Sequence, residues 1–393
     1  MQFNGIVLGV PREIMEAELR VAVIPDTVKQ FTEAGARVLV ESGAGAGAYY
    51  ADEAYRQAGA HIVPDAPTLY ESAQIVLKVK EPQKDPATGT HEADLLPEGS
   101  MLICFLHPAN PINHDTVRRL AERRITAFTL DSIPRVPRAQ HMDALTSMST
   151  VAGYKAVISA AHHLARFVPM IPTASGIVQP ARMLVVGTGV AGLQSIATAK
   201  RLGAKIRSLD IRAEANEQAR SLGAEVLPFE LPPGMGTGAG GYAERLPESE
   251  YARERETLAP AVAESDVVIL TALVPSEKAP ILVDQTMVRT MRKGSVIVDI
   301  SIDQGGNCAL TRPGEEYVWN DVLISGLKNI PAHLAIDATR MFAHNAFEYL
   351  NHIVADGRVD LDSTDEIIRD SLVTRDGRIV HEGTLKAMDA HGV

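Results

Sequence analysis

The feature that most constrains the fold of this chain is a glycine motif between two apolar segments. Residues 182–193 read RMLVVGTGVAGL, in which four apolar residues predict a buried strand and are followed by a G-x-G-x-x-G turn. A helical pattern continues to about residue 203, and a second strand, Lys205–Leu209, ends at Asp210. Strand, glycine turn, helix, second strand and acid in this order are typical of a dinucleotide-binding Rossmann unit.

Each part of this motif has a physical task. Gly187 permits the tight turn, Gly189 lets the backbone approach a pyrophosphate, and Gly192 lets the helix pack close to the strand. Asp210 is expected to accept hydrogen bonds from the ribose hydroxyls, which favours NAD over NADP, although Arg212 is placed where an arginine accommodates a 2′-phosphate. The residues predicted to contact NAD(H) are Gly187, Thr188, Gly189, Val190, Gly192, Asp210, Ile211 and Arg212. A glycine turn that binds no ligand is the competing interpretation.

Composition excludes several classes of partner. The 393 residues suffice for two or three domains, and a hydrophobic content of 46% allows each of them a core. The net charge of −11 argues against nucleic acid or an anionic membrane surface as the main partner. Cys104 and Cys308 are too few for a disulfide framework, and their spacing does not indicate a metal site. Without a signal peptide or an 18-residue apolar window, we expect a cytoplasmic protein that does not itself enter a membrane.

The chain is predicted to form an α/β fold of two Rossmann-like parallel-sheet domains, separated by a cleft and joined by long helices. The first domain comprises residues 1–142 plus about 335–393, because the polar tail with its late strand at Ser371–Thr374 most simply returns there. Its candidate strands are Ile6–Val10, Arg37–Val40, Ile75–Val79, Met101–Phe105 and Thr126–Ala127. Its candidate helices include Thr27–Ala34, Ala51–Ala58 and Asp337–Ala355.

The second domain, about 143–334, is predicted to begin with a long bridging helix at Asp143–Val168. Prolines at 169, 172 and 180 indicate a linker before the glycine motif. Further strands of parallel-sheet character are Asp266–Leu270, Ser295–Asp299 and Val322–Ser325. Residues 228–258, rich in proline and glycine and then in charge, predict a surface insertion with some mobility.

Two further segments carry a resemblance. Residues 134–145 read PRVPRAQHMDAL, and the 228–258 insertion contains a Gly-Tyr-Ala segment. With these segments, the chain resembles the alanine dehydrogenase/transhydrogenase family over nearly its whole length, and its transhydrogenase branch in particular. The resemblance implies that Arg135, Gln140 and Asp143 surround the nicotinamide, where an amide can both donate to and accept from the carboxamide. Residues 271–275 and 305–308 also match, which implies cofactor contacts at Thr271, Ala272 and Leu273.

Membership of that branch implies a role in a larger assembly. NADH bound by this chain would pass a hydride directly to NADP⁺ held by a separate NADP-binding subunit, while a membrane subunit would move protons. The protein would then be cytoplasmic, attached to the membrane through its partners, and a homodimer. Positioning would be its contribution, because the cofactors carry the chemistry.

Four residues match the other branch of the family instead. Arg20, Lys80, His107 and Asp303 stand where alanine dehydrogenases bind the substrate carboxylate or carbonyl and transfer protons. Reductive amination of a 2-oxo acid needs such cations and a group with a pKa near neutrality. A soluble NAD-dependent alanine dehydrogenase is therefore the alternative hypothesis, and a non-catalytic NAD-sensing module is a third. Each residue alone also has a structural interpretation, such as a surface ion pair or a strand cap.

Overall fold

The structure is a computed structural model that describes residues 2–232, 234–236, 238, 243–274 and 278–390. Gly241 and Tyr242 of the Gly-Tyr-Ala segment lie outside the described residues, as does Pro275. The chain divides into two compact units. One comprises Met1–Met148 with Ala332–Val393, and the other comprises Ser149–Pro331.

The amino-terminal part of the first unit alternates strands with helices. Its strands are β1 (Val7–Val10), β2 (Arg37–Glu41), β3 (His61–Val63), β4 (Ile75–Leu77), β5 (Met101–Cys104) and β6 (Thr126–Thr129). Its helices are α1 (Pro25–Glu33), α2 (Asp52–Gln57), α3 (Ala66–Ser72), α4 (Glu92–Leu95) and α5 (His114–Glu122). Helix α6 (Ala144–His163) carries the chain from the first unit into the second.

The second unit begins with a small hairpin and continues as a Rossmann fold. Its strands are β7 (Ile171–Thr173), β8 (Gly176–Val178), β9 (Arg182–Val186), β10 (Lys205–Leu209), β11 (Glu225–Val226), β12 (Val267–Leu270), β13 (Val296–Asp299), β14 (Glu316–Trp319) and β15 (Val322–Ser325). Its helices are α7 (Val190–Arg201), α8 (Ala213–Ser221), α9 (Glu248–Glu264) and α10 (Gln285–Thr290). The sheet order is β11-β10-β9-β12-β13-β15-β14, and β14 alone runs antiparallel to its neighbour. This order reverses direction between β9 and β12, where Rossmann folds bind their ligands.

The carboxyl-terminal part of the chain completes the first sheet. Its elements are α11 (Ala335–Ile353), β16 (Val354–Ala355), β17 (Arg358–Val359), α12 (Glu366–Ser371), β18 (Leu372–Arg375), β19 (Arg378–Ile379) and α13 (Glu382–Ala390). The first sheet has the order β19-β18-β6-β5-β4-β1-β2-β3. Strand β18 runs antiparallel to both of its neighbours, β6 and β19, whereas the strands from β6 to β3 in this order are parallel to one another. Its core of parallel strands has the 3-2-1-4-5-6 order of a doubly wound fold, with a switch point between β1 and β4.

The sequence prediction of the sheets is confirmed. Every predicted strand is present with its ends shifted by at most two residues, because strands covered on both faces are continuous apolar runs in the sequence. The buried cores of the two units are formed largely by these strands and the helices that pack on them. The short, partly exposed strand β3 was not predicted, since His61–Val63 has little apolar signal.

Three predictions were wrong in detail. The segment between Pro169 and Pro180 is not a plain linker, because β7 and β8 form an antiparallel hairpin there. The 228–258 insertion is not wholly a surface excursion, because α9 begins at Glu248 and buries Tyr251 and Leu258 in the core of its unit. Helix α6 also differs, because it ends at His163 and not at Val168.

The elements place the residues of interest at the carboxyl ends of parallel strands. In the second unit the glycine turn follows β9, Asp210 follows β10, and Thr271 follows β12. In the first unit Arg20 lies in the segment after β1, whereas Lys80 and His107 follow β4 and β5. Among the helices in the described ranges, none is both long and apolar enough to cross a membrane.

Candidate functional site

The glycine turn is closed by contacts that admit no side chain at two of its three glycines. Gly187 has φ +86°, and a Cβ there would lie 2.8 Å from the backbone nitrogen of Ala272. A Cβ on Gly192 would lie 2.0 Å from the carbonyl oxygen of Gly187, which also accepts a 2.8 Å hydrogen bond from the hydroxyl of Thr271. The turn is therefore held against Thr271 and Ala272, which follow the end of β12.

The third glycine differs because the space beside it is open. Among the described residues other than its two chain neighbours, a Cβ on Gly189 would have one neighbour within 4 Å, the Nη2 atom of Arg212 at 3.8 Å. Gly189 precedes the first turn of α7, whose backbone N–H groups have no partner within the helix. Open space, unpaired donors and the positive end of the helix dipole make this a place where a phosphate group fits.

The acid at the end of β10 is already bound by its neighbours. The Thr188 N–H donates to Asp210 Oδ2 at 2.6 Å, which ties the glycine turn to the second strand. The Arg212 side chain donates through Nε to Oδ1 at 2.9 Å and through Nη2 to Oδ2 at 2.8 Å. This hydrogen bonding raises the pKa of Arg212 above its usual value, although partial burial opposes the shift. Ribose hydroxyls would therefore meet a carboxylate that is shared with a guanidinium.

A buried amide fixes the strand end on the other side of the turn. Asn307 accepts a 2.9 Å hydrogen bond from the Ala272 N–H and donates to the Ala272 carbonyl at 2.9 Å. The N–H groups of Asn307 and Cys308 in turn donate to Asp299 Oδ2 at 2.8 and 3.0 Å. Burial raises the pKa of Asp299 even though these bonds oppose the shift. The Gly-Gly-Asn-Cys match of the sequence thus corresponds to a buried network behind residues 271–273, while Leu273 itself is exposed.

One residue near this site was not predicted. Glu254 on α9 is only 3% exposed, and its Oε2 atom has no hydrogen-bond partner among the described residues. Burial, together with the charge of Asp210, raises the pKa of Glu254 to about 8. The signal available in the sequence, a glutamate within a charged helical stretch, is the signal of a solvated residue, so sequence reasoning had no means of finding it.

The 134–143 segment lies in the first unit as an exposed stretch followed by a helix. Arg135 and Gln140 are exposed, and residues Pro137–Met142 form a 3₁₀ turn. Asp143 caps α6, accepting from the Thr146 N–H at 2.8 Å and from its hydroxyl at 2.6 Å. Asp143, for which the resemblance implied a place beside the nicotinamide, thus also has a local structural task as the N-terminal cap of a helix.

Three of the four residues of the dehydrogenase hypothesis lie at the same edge of the first sheet. Arg20 is buried and paired with Glu18, with Nε 2.7 Å from Oε1 and Nη2 2.5 Å from Oε2, and its Nη1 lies 3.1 Å from Met148 Sδ. Lys80 is partly buried. Asp303 is exposed in the second unit, within the 3₁₀ turn Ile300–Gln304.

The carboxylate bound to His107 is one that the sequence did not single out. His107 Nδ1 lies 2.9 Å from Asp131 Oδ1, and the His107 N–H donates to Asp131 Oδ2 at 2.6 Å. Burial opposes the charged imidazole, but the Asp131 carboxylate outweighs it and raises the pKa of His107. Asp131 follows β6, next to β5 in the sheet, so its position at a neighbouring strand end was the available signal.

The two lysines of the Lys-Val-Lys segment, Lys78 and Lys80, differ in burial, which their sequence does not indicate. Lys78 is 1% exposed and ion-paired with Glu92 at 2.8 Å and Glu13 at 3.2 Å. Burial raises the pKa of Glu13 to about 7 against the opposing charge of Lys78. Lys78 is therefore a structural residue beneath the sheet edge, and Lys80 is the lysine that remains partly exposed there.

Comparison with known proteins agrees with the geometry. Residues 9–152 match the family model described as Alanine dehydrogenase/PNT, N-terminal domain, and residues 156–382 match Alanine dehydrogenase/PNT, C-terminal domain. The chain belongs to the alanine dehydrogenase/transhydrogenase family.

Within the family, transhydrogenase subunits are more similar to the chain than alanine dehydrogenases are. It is 42% identical to the Rhodospirillum rubrum protein named as the first part of NAD(P) transhydrogenase subunit alpha, over 378 residues, 95% of this chain and 97% of the relative. The crystal structure of transhydrogenase from Sinorhizobium meliloti superposes with a TM-score of 0.81 at 32% identity, covering 96% of this chain and 99% of that one. An L-alanine dehydrogenase structure superposes with a TM-score of 0.80 at 30% identity, covering 98% and 99%.

Proposed function

We propose that the chain is the NAD(H)-binding alpha subunit of a nicotinamide nucleotide transhydrogenase. The observation that carries the proposal is the glycine turn, in which Gly187 and Gly192 are closed by backbone contacts while Gly189 leaves open space at the start of α7. This arrangement suits a pyrophosphate and requires no side chain there. Similarity to a transhydrogenase alpha subunit along 95% of the chain supports the choice of branch.

In this proposal the residues of the chain bind and orient the dinucleotide. The N–H groups of Val190 and its neighbours hold the pyrophosphate, and Asp210 with Arg212 receives the adenosine ribose. The backbone of Thr271–Leu273, fixed by Asn307, forms the opposite wall. NAD(H), when bound, supplies the hydride that is transferred.

The nicotinamide end is assigned to Arg135, Gln140 and Asp143. The Gln140 amide fixes the ring face by donating to and accepting from the carboxamide. Asp143, which caps α6, holds the end of the segment at the start of that helix. Pre-organised orientation of this kind accounts for much of the rate of a hydride transfer. The acceptor is NADP⁺ on a separate subunit, and a membrane subunit couples the transfer to proton movement.

The assembly completes the proposal. The Rhodospirillum rubrum relative is named as one portion of a subunit alpha, which supports a complex in which other chains supply the NADP site and the membrane channel. We place the protein in the cytoplasm, attached to the membrane by those partners, and expect it to act as a homodimer.

The test measures binding and transfer separately. NADH should bind the purified chain with a much lower Kd than NADPH, as followed by NADH fluorescence. Addition of the NADP-binding subunit from the same source, with NADP⁺, should then oxidise the bound NADH. Binding without any transfer to NADP⁺, despite a partner shown to bind NADP⁺, would contradict the proposal.

A second candidate function is a soluble NAD-dependent alanine dehydrogenase. The His107–Asp131 pair favours it, because an imidazole with a raised pKa at the sheet edge can move protons, and Lys80 follows the neighbouring strand. The chain alone would then oxidise NADH with pyruvate and ammonium, and His107→Ala would abolish the reaction. Absence of turnover in a preparation that binds NADH would eliminate this candidate.

A further inference from the structure

The segment 134–143, which lies wholly within the described residues, contains a 3₁₀ turn at Pro137–Met142 and no α-helix or strand. Its backbone bonds include those from Val136 N to Pro134 O and from Ala139 N to Val136 O, both 2.9 Å. A 3₁₀ turn has poorer hydrogen-bond geometry than an α-helix and is used only in short pieces. The Arg135 and Gln140 side chains are exposed. Contacts that anchor the residues between and beside them restrain the backbone from which both side chains project.

The carboxyl-terminal part of the chain supplies a charged anchor at Arg138. The Arg138 guanidinium forms a two-pronged pair with Asp365, Nη2 to Oδ1 at 2.9 Å and Nη1 to Oδ2 at 3.2 Å, and it reaches Glu366 at 3.1 Å. Two parallel N–H···O bonds fix direction as well as distance. Arg138 stands between Arg135 and Gln140 in the sequence, so this pair restrains the centre of the segment.

Asp365 is itself held from two other elements. Its Oδ1 accepts from the Ile367 N–H at 2.8 Å, which caps α12, and its Oδ2 lies 2.9 Å from His352 Nε2 on α11. Partial burial acts to raise the pKa of Asp365, but the Arg138 guanidinium, the Ile367 N–H and the His352 imidazole outweigh it and keep that pKa below its usual value. A carboxylate anchored in this way is a fixed point to which Arg138 binds.

A second contact from the same part of the chain reinforces the first. The Asn345 side chain on α11 donates to the His141 carbonyl at 2.7 Å, next to Gln140. Ala139 and Met142 are buried beneath the turn. The segment is thus held from below by apolar packing and from the side by α11 and α12.

We propose that Asp365 is a positioning residue for hydride transfer, which holds Arg138 and thereby fixes Arg135 and Gln140 at the nicotinamide end of the site. The inference rests on the proposed function, since only that function assigns the 134–143 segment to the nicotinamide. The pair is half-exposed at Arg138, so its loss should leave the fold intact and act on the segment alone. Misplacement of an orienting group lowers the rate of a reaction more than it lowers the affinity for the cofactor.

The test compares Asp365→Asn with Asp362→Asn in the full chain with its NADP-binding partner. Asp362 is a matched control, because like Asp365 it accepts from the backbone N–H two residues further on, that of Thr364, but it is exposed and bonds the Thr364 hydroxyl where Asp365 pairs with Arg138. Asparagine keeps an oxygen for the cap of α12 while the charge is lost. Hydrogen–deuterium exchange of the 134–143 amides reports the segment directly, and the NADH Kd and the rate of hydride transfer report the site.

We expect Asp365→Asn to speed exchange in the 134–143 segment about tenfold and to slow hydride transfer about tenfold, with the NADH Kd within twofold of the wild type. Arg138→Gln should have the same effects, and the double variant should be no worse than either single one. Unchanged exchange or an unchanged rate in Asp365→Asn, or equal effects in Asp362→Asn, would overturn the inference and leave the proposed function standing. Failure of the wild type to bind NADH would overturn the proposed function, and the inference with it.

Discussion

Substitutions in the glycine turn can distinguish open space that a cofactor would fill from space that the protein itself fills by packing. Gly189 has φ −69° and ψ −167°, an extended conformation that alanine adopts without strain. Among the described residues beyond its chain neighbours, an added methyl group meets no atom closer than 3.8 Å, so Gly189→Ala should fold normally. It should even gain about 0.4–1 kcal/mol, since alanine restricts the unfolded chain more than glycine does.

Binding should respond in the opposite sense. The methyl group of Gly189→Ala would occupy the space through which the pyrophosphate approaches the backbone of the turn. Forcing a methyl group into a well-packed contact costs about 1–3 kcal/mol, which corresponds to a loss of roughly 5- to 150-fold in affinity. We expect the NADH Kd of Gly189→Ala to be higher than that of the wild type by about that factor. Its melting temperature should be unchanged or slightly higher.

Gly192→Ala is the matched comparison. Its methyl group would lie 2.0 Å from the Gly187 carbonyl oxygen, a distance that only a backbone shift can relieve. Both stability and binding should fall in that variant. Titration of NADH fluorescence and thermal unfolding of the two variants decide the matter. If Gly189→Ala bound NADH within twofold of the wild type, the pyrophosphate would not lie against this turn, and the reasoning on the cofactor site would be refuted.

Two further predictions concern buried acids. Glu254→Gln should flatten the pH dependence of the free energy of unfolding. Folding raises the pKa of the Glu254 carboxyl from 4.5 to about 8, so its protonated form stabilises the wild type fully below pH 4.5. That stabilisation is lost as the pH rises through 8. At pH 9 the variant should therefore exceed the wild type by a few kcal/mol in urea unfolding, and equal pH profiles would contradict the burial argument. Asp131→Asn should lower the pKa of His107 in an NMR titration, because it removes the carboxylate 2.9 Å from Nδ1; an unchanged pKa would show that another group sets it.

The parts of the fold that local pattern determines were predictable. Strands covered on both faces appear as apolar runs, and the glycine turn, Asp210 and Arg212 lie within 26 residues of one another in the sequence. Their spacing is fixed by one strand–helix–strand unit, so the motif predicts their proximity. The same holds for His107, which stands directly after a strand whose end was predicted to within one residue.

Contacts between distant segments were not predictable. Nothing near Asp365 in the sequence indicates that it binds Arg138, 227 residues away, and Glu254 has the sequence surroundings of a solvated glutamate. The tertiary structure also decides which of Lys78 and Lys80 is buried, since the two are separated by one valine. Partner choice over long separations depends on strand order, and the local pattern of a single sequence leaves that order open.

The pairing of Arg20 bears on the choice between the two candidate functions. A dehydrogenase needs a cation for the carboxylate of its 2-oxo acid, yet Glu18 engages the Arg20 guanidinium through Nε and Nη2. Because Glu18 is two residues from Arg20, its carboxylate competes for the guanidinium at an effective concentration of about millimolar or higher. A free 2-oxo acid must displace the Glu18 carboxylate, and this displacement has a desolvation cost. His107 with Asp131 can still transfer a proton, but the anion-binding part of the same site is occupied by the protein itself. The Arg20–Glu18 pair therefore favours the proposed transhydrogenase subunit over the alanine dehydrogenase.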